Sequence, residues 1–252
     1  MLRLVIPEGI QLWFAKVKAD FILNFIDGNR WQMILNGLGN TLIMTAVALC
    51  IGIVIGVIVA VIRTTYDTNG AKMRPGLGKF LMALLNRICI IYTTVIRGTP
   101  MVVQLLILYF IVFSYSRNGL MVASFSFGLN SGAYVSEIFR GGIMSIEKGQ
   151  MEAGRSLGLN YVQTMWYIIA PQVLRNVLPT LANEFITLLK ETSVAGYATV
   201  PDLTFAGNRI RGTTYSPFMP LIAVALIYLA LVMVLTWLTG KLERRLRQSD
   251  IR

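Results

Sequence analysis

The chain of 252 residues is 55% hydrophobic and only 14% charged, against about a quarter charged in ordinary soluble domains, which excludes a water-soluble domain as the main reading. A mean hydropathy of +0.64, with uncharged stretches near the roughly 20 residues a helix needs to cross a bilayer, predicts an all-α, polytopic membrane helix bundle. A β-barrel would show segments of about ten residues alternating in polarity. The formal net charge of +11 is the excess expected of basic cytoplasmic loops, so nucleic acid is not an expected partner.

Cys50 and Cys89 sit in apolar surroundings without CxxC spacing, and the chain has no histidine. Disulfide scaffolds, Cys or His metal sites, imidazole relays and Ser/His pairs are thereby removed. No metal, no cofactor and no catalysis by this chain alone are expected.

In chain order, residues 1–36 carry Trp13, Phe14, Val17, Phe21 and Phe25 at spacings of three to four, interleaved with Lys16, Lys18 and Asp20. That pattern predicts an amphipathic, interfacial N-terminal segment. No apolar core followed by a small-residue cleavage site precedes the first span, which is expected to be retained. Residues 37–240 form the predicted membrane domain, with about five transmembrane helices. The first span, 41–62, is uncharged, and its Gly52-x-x-x-Gly56 lets another helix approach closely. A basic loop around Pro75-Gly76 follows, then a partly interfacial helix over 80–96 containing Asn86 and Arg87. The second span is expected at 98–116 and the third at 122–142, broken near its end by Glu137 and Arg140, which are placed to pair on one face. Residues 143–175 are too polar and too long for a tight turn. A fourth span starts near Asn176 and contains Pro179, a kink candidate; a fifth covers 219–240, and a basic tail occupies 241–252.

Five spans with the N-terminus outside put Arg63, Lys72, Arg74, Lys79, Arg87, Arg97, Arg140, Lys148, Arg155, Arg175 and the tail's Lys241, Arg244, Arg245, Arg247 and Arg252 inside. Only Arg3, Lys16, Lys18, Arg30, Arg117, Arg209 and Arg211 remain outside. The positive-inside rule selects that orientation, N-terminus out and C-terminus in the cytoplasm, and makes 143–175 a cytoplasmic loop.

Within that loop, Gly158 is suited to closing one short helix, Asn160 with Gln163 forms a capping box for a second, and Pro171 ends or restarts it. Glu152-Ala153-Gly154 places small side chains where a partner surface can approach. The run Glu152-Ala153-Gly154, Gly158, Ile168 and Pro171 resembles the EAA loop of ABC-importer permease subunits, with Gly154 and Ala170 departing from the commonest Ala and Leu. Arg97-Gly98-Thr99-Pro100, the stretch from Gly132 through Glu137 and Arg140 to Gln150, and Leu189-Lys190-Glu191-Thr192-Ser193 narrow the likeness to polar amino acid permeases over about residues 36–240.

The resemblance implies a type I ABC-importer permease in the cell membrane, paired with a second copy or a paralogue, with an amino acid as its solute. It further implies an extracytoplasmic amino acid-binding protein, ABC ATPase subunits docked on Glu152, Ala153, Gly154, Gly158 and Pro171, and lipid around the bundle. No G-x-x-x-x-G-K-[ST] occurs, since Gly78-Lys79 is followed by Phe80 and Gly240-Lys241 by Leu242, so ATP is expected on another subunit.

Ionisable residues inside spans mark a pathway or an internal pair. Glu184 and Glu191 are seven apart, about 20° from alignment on a helix, with Thr187 and Leu188 on the same side. Lys190 either shares a path with them or neutralises a carboxylate in a packing role. Asn40, Thr41 and Gln104 complete the candidate substrate path, with hydrogen bonding to neighbouring backbone as their other reading. A self-contained ion-coupled amino acid transporter or channel is the alternative that the intramembrane charges leave open, although five spans without an internal repeat are few for one.

Overall fold

The computed structural model describes residues 8–248; the start of the N-terminal segment with Arg3, and the end of the basic tail with Arg252, lie outside them. Among the described residues the chain is helical without strands. Helix α1 (Glu8–Phe21) continues through a π turn at Ile22–Ile26 and stops where Gly28 (φ +62°) and Asn29 (φ +53°) turn the backbone left-handed. The long α2 (Trp31–Asn69) then runs unbroken through position 36 and through the uncharged stretch.

Helix α3 (Leu77–Gly98) includes Asn86 and Arg87 without interruption. The chain breaks at Thr99 because Pro100 forces its predecessor out of the helical region, to φ −122° and ψ 148°. Helix α4 (Met101–Ile107) and a π turn (Leu108–Val112) follow. The expected second span is thus split from α3 by a corner. Helix α5 (Gly119–Met144) opens on Asn118, whose side chain accepts from the Met121 amide. Two short helices, α6 (Lys148–Ser156) and α7 (Tyr161–Thr164), lead through a π turn (Met165–Ile169) into α8 (Ala170–Glu191), which has Pro171 in its first turn and continues through Pro179. A 3-10 segment (Thr192–Ala198), α9 (Leu203–Thr214) and α10 (Phe218–Gln248) complete the chain.

Trp31–Asn69, Leu77–Gly98 and Phe218–Leu246 are long and apolar enough to cross a membrane on composition alone. Helix α5 is diluted instead by glycines and serines, which serve packing. Added Cβ atoms at Gly52 and Gly56 of α2 would lie 3.0 Å from Ser131 Oγ and 2.5 Å from Val135 Cγ1 of α5. Those at Gly128 and Gly132 would meet Ile51 and Ile55 at 2.7 and 3.0 Å. Each helix therefore offers a glycine pair to the other's bulk, and the matching rise of the two registers makes them parallel. The close approach expected of Gly52 and Gly56 is this one; the reciprocal Gly128-x-x-x-Gly132 is a feature the sequence reading missed.

Three apolar clusters are strung along α2. Ile34 packs with Leu203, Ala206, Ile210 and Val224, seating α9 and α10 at its start. Met44 and Ala48 join Leu105, Phe127, Leu188 and Ala195 at its middle. Ala60 joins Val135, Phe139, Ile169, Val173 and Val177 near its end, and partly buried Met151, Met165 and Ile168 of the 143–175 loop pack on that third cluster. The loop is therefore joined to the interior of the bundle.

Candidate functional site: a polar stripe, an outer clamp and a cytoplasmic loop

Helix α8 buries Val173, Val177, Leu181, Ile186, Leu188 and Leu189 and leaves Asn176, Thr180, Asn183, Thr187 and Lys190 exposed. Their spacing of four, three, four and three residues makes one stripe on a 3.6-residue helix. Glu184 and Glu191 sit half-buried at its edge. Ser131 Oγ of α5 donates to Glu184 Oε1 at 2.9 Å, so one carboxylate is held from behind. Two of the predicted path residues, Thr187 and Lys190, thus lie on the open face with the glutamates beside it. Leu188, on the same side of α8 as the glutamates, is fully buried, and Asn176, Thr180 and Asn183 were not foreseen. A polar stripe facing hydrocarbon is unfavourable, so this face belongs toward water, solute or another chain.

The other three predicted path residues are taken up in the frame. Asn40 Nδ2 donates to the Pro201 carbonyl at 2.8 Å, and Thr41 Oγ1, fully buried, accepts from the Leu203 amide at 3.1 Å. Together they tie α2 to the start of α9. Gln104 Nε2 lies 2.7 Å from the Ile96 carbonyl, 3.0 Å from that of Thr99 and 2.8 Å from Thr99 Oγ1, while its Oε1 accepts from Asn130 Nδ2 at 3.0 Å. One amide therefore satisfies the carbonyls that the Pro100 corner leaves open. Backbone bonding, the other reading of these residues, is what the geometry displays.

The same clamp buries Asp202 completely, between α8 and α9 and outside the spanning helices. Its Oδ1 caps α9 by accepting from the Phe205 amide at 2.7 Å, and among the described residues its Oδ2 has no hydrogen-bond partner. Burial raises this carboxyl from an ordinary value near 3.8 to about 6, partly offset by backbone bonds from Phe205 and Thr204, with Tyr228 and Thr41 close by. Because the folded state holds the proton more tightly than the unfolded chain, stability increases as pH falls from about 6 towards 4 and is lost as pH rises through that window. Asp202→Asn keeps the capping oxygen and is expected to flatten this dependence. Unfolding midpoints of the purified protein at pH 4.5 and 7 check it, and an unchanged slope in the variant contradicts it.

At the opposite end of α5, Glu137 accepts from Arg63, at 2.5 Å, and from Arg140 Nε, at 3.2 Å, with Arg97 at 3.8 Å; Arg140 also pairs with Asp67 at 3.4 Å. The expected Glu137/Arg140 pair is present as part of a larger network binding α2, α3 and α5. Beside it a groove of about 510 Å³ opens between α5 and α8, lined by Glu137, Ser145, Asn176 and Thr180 among others. It adjoins the lower end of the stripe.

In the loop, Gly158 has φ +84°, the Gly158 amide donates to Arg155 and the Leu159 amide to Gly154, the double closure of a glycine C-cap. Asn160 and Gln163 form the capping box, each accepting from the other's amide at 2.9 Å. Glu152, Ala153 and Pro171 are exposed, but Gly154 is buried. A Cβ there would meet Thr164 Cγ2 at 2.5 Å and Ile168 Cδ1 at 2.9 Å. Its missing side chain thus serves packing of α6 on α7 within the chain. The loop's uncovered apolar groups include Leu157, 80% exposed, Val162, Trp166 and Tyr167, which sequence periodicity did not single out. Among the described residues no cluster of His, Cys, Asp and Glu is arranged to hold a metal ion.

The family of binding-protein-dependent transport system inner membrane components matches residues 77–248. The chain is 40% identical over 162 residues to the arginine transport system permease protein ArtQ of Bacillus subtilis (strain 168), covering 63% of this chain and 74% of that protein. It is 38% identical over 169 residues to the glutamine transport system permease protein GlnP of Escherichia coli (strain K12), covering 65% and 77%. Among solved structures, an amino acid ABC transporter crystallised with histidines superposes with a TM-score of 0.74 at 33% identity, over 88% of this chain and 98% of that one. A chain of the MetNI methionine ABC transporter in an inward-facing form shares the fold, with a TM-score of 0.70 at 22% identity over 86% and 97%. The chain belongs to the family of inner-membrane components of binding-protein-dependent transport systems.

Proposed function

We propose that this family member is the membrane-spanning subunit of an ATP-driven importer of polar amino acids, with its solute path along the open stripe of α8. The observation that carries the path is that stripe: five polar side chains from Asn176 to Lys190 uncovered on one face of a helix inside an apolar bundle, with Glu184 and Glu191 at its edge. The arginine and glutamine permeases among its relatives support a polar amino acid as the solute. In this reading Thr187, Lys190, Glu184 and Glu191 border the path, while Asn40, Thr41 and Gln104 hold the frame around it. A solute carrying ammonium and carboxylate groups meets both a cation and carboxylates there, in a medium where charge interactions are strong.

The ATPase is a separate subunit docked on the loop helices α6 and α7, where Glu152, Ala153, Leu157 and Val162 are exposed. The N-terminus lies outside and the C-terminus in the cytoplasm. The domain plan is an N-terminal interfacial segment over 1–36, the permease proper over 37–240 and a basic cytoplasmic tail over 241–252. A second copy or a paralogue covers the stripe from the far side.

Glu184→Gln tests the path. In transporter reconstituted with its ATPase, equal amounts of assembled complex are expected to move cationic and neutral amino acids with rates changed by different factors, because removing one charge acts unequally on solutes of different charge. A uniform loss across cationic, neutral and anionic solutes assigns the glutamates to packing alone. Topology is checked separately with single cysteines at Thr213 and Arg244 in a background lacking Cys50 and Cys89. An impermeant thiol reagent is expected to label the first only from outside and the second only from inside, and labelling of both from one face contradicts the orientation.

A further inference from the structure

We infer that the Asp202 carboxyl is a proton-binding latch: while it holds a proton the start of α9 stays seated on α2, and when it ionises that start is driven off. Which face of the membrane supplies the proton follows from the orientation proposed above; the latch itself does not depend on it. The segment 201–203 and α2 meet backbone to backbone, since a Cβ at Gly37 would lie 2.7 Å from the Asp202 carbonyl oxygen and 3.0 Å from Leu203 Cα. Nothing wider than glycine fits beneath it. Asn40 and Thr41 of the same helix hold the Pro201 carbonyl and the Leu203 amide on either side. The Asp202 side chain is thereby carried into the closed clamp, fully buried, and a Cβ at Gly196 of the 3-10 segment would stand 3.3 Å from its Oδ1.

Capping α9 uses one oxygen of this carboxyl, and a serine or an asparagine caps as well without a proton to lose. The second oxygen is the informative one. It is buried with no hydrogen-bond partner among the described residues, and none of the ion pairs among them includes Asp202. Around the carboxyl, α2 contributes Asn40 and Thr41, α9 Thr204, α10 Tyr228 and the 3-10 segment Gly196. Tyr228 is the other titratable group of this set, and it is neutral from about pH 5 to 8. A carboxylate with one bare oxygen is costly in such surroundings, whereas the neutral acid leaves only a hydroxyl beside the acceptor oxygens of Thr204 and Tyr228. Closure and proton uptake are therefore coupled, because the seated form holds the proton and the lifted, hydrated form releases it. Burial raises this carboxyl to about 6. The chain has no histidine, so the latch titrates in a window where side chains of ordinary pKa are silent.

The test reads the distance between α2 and α9 by pulsed spin resonance, in the transporter assembled with its ATPase in lipid nanodiscs. Spin labels are placed on cysteines at Gly39, where a side chain meets nothing within 4 Å, and at exposed Asn208, in a background lacking Cys50 and Cys89. With the carboxyl near 3.8 when lifted and about 6 when seated, the ratio of lifted to seated α9 is expected to rise about tenfold from pH 5 to pH 7.5. It is read as growth of a longer distance. Asp202→Asn keeps the capping oxygen and cannot ionise, so it is expected to hold the short distance at both pH values. Thr41→Val removes the bond that seats Leu203 and is expected to enlarge the longer population at both. A parent distance that does not change with pH overturns the inference, as does an equal pH response in Asp202→Asn, which assigns it to other carboxyls such as Glu184 and Glu191. Should Asp202→Asn fail to assemble, Thr41→Val decides, and parent-like distances there overturn the latch. A complex that shows the pH response but imports no amino acid would overturn the importer reading alone.

Discussion

Gly56→Val is expected to remove the assembled protein from the membrane. An added Cβ at Gly56 would lie 2.7 Å from Val135 Cβ and 2.9 Å from the Ser136 backbone nitrogen, so no side-chain rotation relieves it and α2 must move away from α5. Overpacking of a well-filled contact typically costs about 1–3 kcal/mol and more when backbone must shift, and here the loss spreads to the matching contacts of Gly52, Gly128 and Gly132 along the same seam. Gly39→Ala is the control, since nothing lies within 4 Å of a Cβ at that position of α2 and alanine favours a helix by roughly 0.5–1 kcal/mol. The amount of intact complex recovered by size exclusion decides. Wild-type recovery of Gly56→Val would refute the close parallel packing of the two helices.

The second large effect is expected in the loop. Gly154→Val drives a side chain into Thr164 and Ile168, prising α6 off α7 without touching the spanning helices, whereas Leu157→Asp leaves the loop's own packing intact and alters only an outward side chain. Both are expected to cut solute-stimulated ATP hydrolysis at least tenfold, the first by displacing the docking helix and the second by burying a charge in an apolar contact. Proteolysis of the isolated permease separates them: Gly154→Val should open a new cleavage site between α6 and α7, and Leu157→Asp should not. Normal coupling in both variants would remove this loop as the ATPase contact.

What could be read from residues alone was what depends on near neighbours. The Asn160/Gln163 box and the Gly158 closure are set within a few residues, so both were legible before any packing was known. The Gly52/Gly56 pair announced a close approach but not its partner, because the matching Gly128 and Gly132 lie in a helix whose register on α2 is a tertiary fact. Gly154 shows the same limit from the other side, since a small residue permits contact without saying with what. The stripe was only half found. Glu184 and Glu191 stood out because charge in a span is costly, but Asn176, Thr180 and Asn183 are ordinary polar residues until the burial of Val177 and Leu181 shows which side of α8 is left over. Asn40, Thr41 and Gln104 were ambiguous for the opposite reason: an amide or hydroxyl suits a solute and a backbone carbonyl equally well, and only the positions of Pro201, Leu203 and Thr99 decide.

The corner at Pro100 also sets an order of events during synthesis. The carbonyls it frees belong to Ile96 and Thr99, and the amide that satisfies them belongs to Gln104, eight and five residues later, so the bend closes on itself as soon as the first turn of α4 has formed. The remaining bond, from Asn130, spans 26 residues and waits for nearly half of α5 to emerge. A chain that has reached Gln104 therefore already carries a sealed elbow into the bilayer, and the arrival of α5 locks an existing bend instead of creating one. Gln104→Leu would leave those carbonyls without their amide for the whole interval, placing the defect in membrane insertion before any question of transport arises.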